Sequence, residues 1–263
     1  MADMVPALNE AIESTFQTRM VGDKRIMRLG RRIRDGTATL VDAHRYAQYT
    51  GENMSKALLA NLTEDNLPDG ILYYNIATRT VTPSLMTGHR LVNEIAKQIQ
   101  GIIDEKEGIG LSSVEAAFPE TRVRGLIDKM TQYDGDYEKS AAWLKEPIVN
   151  NVEAFFDDYI KANADFRHSV GLVTTIVRVA EPNCCQWCAD LAGTYEYNNE
   201  PKEVYQRHEF CRCDVTYHSD KRSQNVWTKK EWAPTEDELK ARREAHVEIM
   251  SAAERQRQIE GRR

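Results

Sequence analysis

The chain has 263 residues, of which 41% are hydrophobic and 29% are charged, a balance typical of a soluble globular protein with one large core or two smaller ones. Its formal net charge of −6 argues against a protein that binds nucleic acid over its whole surface. No stretch approaches the roughly 20 apolar residues that cross a bilayer. The N-terminus lacks the basic start and the apolar segment of a secretory signal, so we expect a cytosolic protein.

A local basic patch lies inside this acidic chain, because residues 19–34 carry seven cations against one acid, Asp23. The apolar residues of segment 24–34 recur at helical spacing, which predicts an amphipathic helix. Cations on such a helix are suited to contact DNA phosphates. An ordinary solvated helix face is the alternative. The residues that we single out for DNA contact are Lys24, Arg28, Arg31 and Arg32.

The first two-thirds of the chain is predicted to be helical, with breaks at prolines and glycines. The predicted elements after the basic patch are a helix over 37–62, a strand or loop over 71–81, a helix that begins at Pro83, a short helix capped by Ser112 or Ser113, and a helix over 120–132. We expect this part to form a helical body.

The longest helical pattern runs from about Tyr137 to Arg167 and contains Pro147. Either the helix kinks at this proline, or a new helix begins with Pro147 in its first turn. An apolar stripe follows the helical period, and three acids fall largely outside it, namely Glu153, Asp157 and Asp158. The pattern therefore predicts a core stripe with a solvated acidic face.

The hydrophobic period changes after this helix. Residues 170–180 are dense in β-branched side chains and predict a strand, and residues 214–218 predict a second one. A charged helix is predicted from Thr235 to the end of the chain. The predicted fold class is α+β and mainly α-helical. Its predicted parts are a helical body at 1–168, a β module that contains all the cysteines at 169–220, and a connector with a charged C-terminal helix at 221–263.

All five cysteines lie within the segments CCQWC, at 184–188, and HEFCRC, at 208–213. A CxxC turn brings two thiolates to one point, and a second segment must supply two more donors to close a tetrahedron around Zn²⁺. Cys185 and Cys188 form the first half of this predicted site. The second half has three candidates for two positions, His208, Cys211 and Cys213. Cys184 is left as a buried or spare thiol.

Other uses of these cysteines fit the pattern less well. An odd number of cysteines would leave one thiol outside any set of disulfides, and the expected compartment is reducing. A redox-active CxxC is disfavoured because no βαβ pattern surrounds it. The zinc deaminase signature requires HxE before its CxxC, and here the CxxC comes first. Four or more soft donors favour a closed, structural zinc site over a catalytic one.

The stretch from Thr175 to Trp232 resembles the C-terminal part of phage minor capsid proteins of the Mu F-like head-morphogenesis group. The shared pattern is CxxC, then Leu-x-Gly, a loop, and HxxCRC leading into a strand. The group often has prolines just before the histidine, whereas this chain has residues 204–207, VYQR, as in the version from phages of Gram-positive bacteria. The residues that match are Cys185, Cys188, Leu191, Gly193, His208, Cys211, Arg212 and Cys213.

The resemblance implies a virion structural protein without enzymatic activity. It implies a minor component of the phage head, present in several copies near the portal, and also found in the host cytoplasm during assembly. Its expected role is head assembly or DNA ejection. The expected cofactor is structural Zn²⁺. The expected partners are the portal protein, the major capsid protein or both, and packaged double-stranded DNA, with no membrane contact.

Two other functions remain open from the sequence. A metal-dependent enzyme acting on nucleic acid or on the cell wall would need an open metal position and a nearby base, and Glu209 and Asp214 are the adjacent acids. A zinc-binding DNA regulator is disfavoured because the basic patch lies far from the cysteines in sequence and no helix-turn-helix pattern is evident.

Overall fold

The computed structural model describes residues 3–133 and 135–220, and it is mainly helical with one small antiparallel sheet near the cysteines. The predicted α+β, mainly α-helical class is therefore confirmed. The chain divides into two compact units, Met1–Tyr159 and Ile160–Arg263. The three predicted parts have other bounds than these two units and stay predictions. The predicted C-terminal helix lies outside the described residues.

The first unit is built from helices. The helix bounds are α1 Val5–Gly22, α2 Lys24–Arg34, α3 Leu40–Asn61, α4 Tyr74–Glu107, α5 Glu120–Met130, α6 Tyr137–Ala142 and α7 Glu146–Ser169, of which α7 runs across the division into the second unit. The helix predicted over 37–62 begins where Thr39 and Asp42 form a capping box. Pro147 lies in the first turn of α7, so the second of its two predicted alternatives is confirmed.

The strand or loop predicted over 71–81 is wrong, because α4 begins at Tyr74 and continues through Pro83. A proline inside a helix leaves the carbonyl four residues earlier without its usual partner. Here that carbonyl belongs to Arg79, and the side-chain amide of Asn9 on α1 donates to it at 3.0 Å. A contact from a distant helix thus compensates for the proline, which the local sequence does not reveal.

The short helix predicted near Ser112 and Ser113 is also absent, since residues 109–119 are irregular. The backbone N–H of Ala116 in this segment donates to the side-chain oxygen of Asn93 on α4 at 3.1 Å. A side-chain acceptor therefore satisfies a donor that a helix would have used internally. The helix predicted over 120–132 is confirmed as α5.

The solvated acidic face predicted for α7 is wrong for two of its three acids. Glu153 and Asp157 are buried, whereas Asp158 is about one-third exposed and pairs with Arg122 at 2.7 Å. The Glu153 carboxylate faces the Nε2 atom of His44 on α3 at 3.6 Å, and both side chains are fully buried. Helical periodicity placed Glu153 outside the apolar stripe, but α3 brings a polar partner to that side.

The second unit contains three strands, β1 Val173–Val179, β2 Gly193–Glu196 and β3 Asp214–Asp220, and a short helix, α8 Gln186–Asp190. β1 is central and antiparallel to both neighbours. The strands predicted over 170–180 and 214–218 are thus confirmed, whereas β2 was not predicted. Among the described residues, no helix has the length and apolar character needed to span a membrane.

We expect Gly51→Ala to destabilise the helical unit by about 1–3 kcal/mol, because overpacking a close contact forces backbone shifts. A Cβ atom at Gly51 would lie 2.9 Å from the Cα atom of Val149 on α7. Gly101→Ala is the matched control, since a Cβ there meets nothing within 4 Å. The control should stabilise by up to about 1 kcal/mol through helix propensity. Urea unfolding followed by far-UV circular dichroism measures the free energy of unfolding of both variants. Equal changes would contradict the close approach of α3 to α7.

Candidate metal centre

The first donor segment follows the end of β1. Asn183 adopts a left-handed conformation with φ of 61°, and the N–H of Cys184 donates to the carbonyl of Glu181 at 3.1 Å, so the chain turns at this point. Cys185 immediately precedes α8, and Cys188 lies in its first turn. A helical turn places residues three positions apart on one side. The CxxC spacing therefore directs both sulfurs toward the same region.

The second donor segment lies just before β3. The N–H of Cys211 donates to the carbonyl of His208 at 3.0 Å, and Phe210 between them has a φ of 58°. This tight turn brings the two ends of HxxC together. Cys213 then stands at the entry to β3, which begins at Asp214. Because β1 and β3 are paired, the two donor segments meet at the same end of the sheet.

All five predicted donors gather in two overlapping groups that share Cys188. One group is Cys185, Cys188 and His208, the other is Cys188, Cys211 and Cys213, and the donor atoms within each group lie within 4.8 Å of one another. Cys184 belongs to neither group and is buried, in line with its prediction as a buried or spare thiol. The five cysteines are free thiols in this structure.

The spacing of these donors suits a small tetrahedral ion. Zn–S bonds of 2.3 Å in tetrahedral geometry imply S–S separations of about 3.8 Å and S–N separations of about 3.6 Å. The sulfurs of Cys188 and Cys211 are 3.8 Å apart. The Nε2 atom of His208 lies 2.9 Å from the sulfur of Cys188 and 3.3 Å from that of Cys185, both shorter than the separation around a bound ion. The cluster can therefore hold a metal ion.

His208 is held in the tautomer that a metal ligand needs. Its Nδ1 atom lies 2.7 Å from the backbone carbonyl of Glu209. A carbonyl can only accept, so Nδ1 carries the proton and donates it, and the lone pair is left on Nε2, which faces the two sulfurs. The ring also packs edge-on against Trp187, at 5.6 Å between centroids. This orientation is typical of metal-binding histidines.

Contacts among the thiols shift their pKa values in opposite directions. Hydrogen bonds from Cys188 and Cys213 hold the pKa of Cys211 far below its ordinary value, and the same contact with Cys211 raises the pKa of Cys188. Burial raises the pKa of Cys184, which lies outside the donor groups. The sulfur of Cys211 is therefore the one that the surroundings most strongly favour as a thiolate.

The sequence analysis missed Arg178, whose guanidinium lies against the donor cluster. One of its nitrogens is 3.9 Å from the sulfur of Cys188 and 3.7 Å from that of Cys211. Strand alternation gives the only sequence signal for this position, because Arg178 shares the buried face of β1 with Thr174 and Ile176. That signal does not indicate what the side chain contacts.

The two acids proposed as bases for an enzyme lie in the second donor segment and directly after it. Glu209 is exposed, and Asp214 is half-buried. Glu209 contributes its backbone carbonyl to His208, as described above.

The predicted DNA-contacting cations lie on α2, in the first unit, whereas the donor cluster belongs to the second. Lys24, Arg28 and Arg31 are exposed and make no ion pair with the described residues. Arg32 is also exposed, but it pairs with the buried carboxylate of Asp42 at 2.7 Å. Three of the four predicted cations therefore remain available to a partner.

Fold and site together define a mainly helical protein with a small cysteine- and histidine-bearing sheet module that can hold a metal ion. No family model, curated protein or solved structure matches the chain.

We expect Cys188→Ser to abolish metal binding, because Cys188 belongs to both donor groups. Cys184→Ser is the matched control and should retain the metal, because Cys184 belongs to neither group. Metal content after dialysis and the rate of thiol modification, resolved by mass spectrometry, measure both outcomes. Chelation of the wild-type protein should speed modification of the buried Cys211 and Cys213. A Cys184→Ser variant that loses its metal would contradict this assignment.

Proposed function

We propose that the protein is a structural component of a phage head, a minor capsid or head-morphogenesis protein whose C-terminal module is stabilised by Zn²⁺. The observation that carries the proposal is the gathering of CxxC and HxxCxC donors at one end of the sheet. These donors are also the residues through which the chain resembles phage minor capsid proteins. The metal and the phage role are therefore proposed from the same residues.

The chemistry of the donors favours zinc in a structural role. Thiolate and imidazole ligands suit Zn²⁺ better than hard cations such as Mg²⁺ or Ca²⁺. Four of the donors come from cysteines, three of which are almost completely buried. A site filled by protein ligands leaves no open position for a substrate. A three-stranded module with strands this short also gains much of its folding free energy from a bound metal.

Other residues of the phage-like pattern support the module around the donors. Leu191 is buried after α8, and its carbonyl accepts a hydrogen bond from the hydroxyl of Tyr195 on β2 at 3.0 Å. The side chain of Arg212 is buried and donates to the carbonyl of Cys211 at 3.1 Å. The residues shared with the phage group thus lie in or next to the donor cluster, which is consistent with a common module.

Duplex DNA is the proposed partner of α2, because the cations of this helix include a set paired with acids and a set on one exposed face. Arg25 and Arg32 pair with acids on α3 or at the start of α2. Lys24, Arg28 and Arg31 recur at i, i+4 and i+7, which places them on one exposed face. Such a face is suited to the regular phosphates of a duplex.

The remaining surface of α2 favours DNA over a membrane or single-stranded nucleic acid. Insertion into a membrane interface requires an apolar face, but Leu29 is buried and Ile26 and Ile33 are half-buried, which leaves Met27 as the exposed apolar side chain of α2. Binding to single strands relies on exposed aromatic rings, and the sequence of α2 contains none. Charge is therefore the feature that this face offers a ligand.

The phage role is tested in a phage that encodes this chain. We expect mass spectrometry of purified DNA-filled heads to detect the protein in fewer copies than the major capsid protein. Deletion of its gene should lower infectivity per particle, and the wild-type gene should restore it, whereas Cys188→Ser should not. Heads that lack the protein would reject the proposal. Metal-dependent hydrolysis of nucleic acid or peptidoglycan that Glu209→Gln abolishes would support the enzyme instead.

The DNA contact predicts a salt dependence that can be measured. Three phosphate contacts give a slope of about −2.7 for log K against log salt concentration. The triple variant Lys24→Gln, Arg28→Gln, Arg31→Gln should reduce this slope almost to zero. The control triple Lys56→Gln, Arg124→Gln, Lys129→Gln removes the same charge from exposed positions that form no ion pair with the described residues, and it should keep the slope. Fluorescence anisotropy with a random-sequence duplex measures the slope for both triple variants. Equal reductions of the slope would contradict specific binding by the exposed face of α2.

A further inference from the structure

Arg178 is a charged residue inside the C-terminal module, with only 2% of its surface exposed. It lies on the central strand, one residue before the end of β1, where the chain leaves toward the first donor segment. Its side chain points to the buried face together with that of Ile176. A fully buried arginine is rare unless its charge and its donors are compensated.

The guanidinium of Arg178 connects both donor segments. One terminal nitrogen donates to the backbone carbonyls of Val204 and Gln206, the latter at 3.0 Å. The other terminal nitrogen reaches the sulfurs of Cys188 and Cys211. Its central carbon lies 5.4 Å from the centre of the Trp187 ring. One side chain thus contacts α8, the approach to His208, and the turn that carries Cys211.

The charge of Arg178 has no carboxylate partner among the described residues. Carbonyl oxygens satisfy donors but do not neutralise a cation, so the counter-charge has to come from the sulfur cluster. A divalent ion bound by two thiolates and neutral ligands carries no net charge, whereas an ion bound by three thiolates carries one net negative charge. Three thiolates therefore match the single positive charge of Arg178, the buried guanidinium that contacts the sulfurs of Cys188 and Cys211.

We propose that Arg178 is a positioning residue of the metal centre, which neutralises a three-thiolate ion and selects Cys211 as its fourth protein ligand. Cys185, Cys188 and His208 are the other three ligands, because they form one donor group. Cys213 stays outside the coordination shell, since the guanidinium contacts the sulfur of Cys211 and not that of Cys213. This inference rests on the proposed metal-binding role of the cluster and adds its ligand set and its counter-charge.

The inference is tested with Co²⁺ as the probe, added to the metal-free full-length protein. Competition with a chelator gives the affinity, and the thiolate-to-cobalt absorption gives the number of bound sulfurs. Arg178→Gln should weaken binding by about 10- to 100-fold, the usual effect of losing an outer-shell partner. Arg178→Lys keeps the charge and should recover part of this loss. At saturation, both variants should show the wild-type absorption, because the ligands are unchanged.

The matched pair Cys211→Ser and Cys213→Ser tests the ligand set. Cys211→Ser should remove the contribution of one thiolate from the thiolate-to-cobalt absorption and weaken Co²⁺ binding. Cys213→Ser should leave this absorption unchanged. The opposite result would overturn the ligand assignment. Wild-type affinity in both Arg178 variants would overturn the positioning role, as would an equal loss of stability in the metal-free and metal-loaded protein. Failure of the wild-type protein to bind Co²⁺ would instead reject the metal role itself.

Discussion

The C-terminal module depends on the convergence of two cysteine-bearing turns on the sulfur of Cys188. This atom lies within reach of every other predicted donor, although His208 and Cys211 follow it by about 20 residues or more. The antiparallel pairing of β1 with β3 brings the turns together, and the turns in return close the end of the sheet. Strands of seven residues or fewer bury too little apolar surface to hold such a loop closed by packing alone. A bound ion supplies this missing free energy in the proposed structure of the holo-protein.

The helical unit is stabilised differently. Its helices pack closely enough that a glycine is needed at position 51, where α3 passes the backbone of α7 at Val149. A proline inside α4 is tolerated because Asn9 donates to the carbonyl of Arg79 that the proline leaves without a helical partner. Such contacts require no metal. The protein therefore combines a unit held by side-chain packing with a module whose stability is proposed to depend on coordination.

The two units differ in the groups that lie next to a buried ionisable side chain. In the helical unit, the carboxylate of Glu153 faces His44 on α3, so an acid lies beside a group that can carry the opposite charge. In the C-terminal unit, Arg178 has two carbonyl oxygens and two sulfurs as partners. Thiols become strong anionic partners chiefly when a metal binds them. This difference explains why the arginine, unlike the glutamate, is tied to the proposed metal.

The sequence by itself determined the position of the candidate site, the strands that flank it and most helices. These features follow from short-range spacing, such as the three-residue separation in CxxC and the alternation along β1, which local geometry converts directly into structure. Only the tertiary structure decided that Glu153 is buried, that Pro83 lies inside a helix, and that Arg178 reaches the sulfurs of Cys188 and Cys211. Each of these depends on a partner far away in sequence, and the period of a single helix or strand does not specify which distant residue will pack against it.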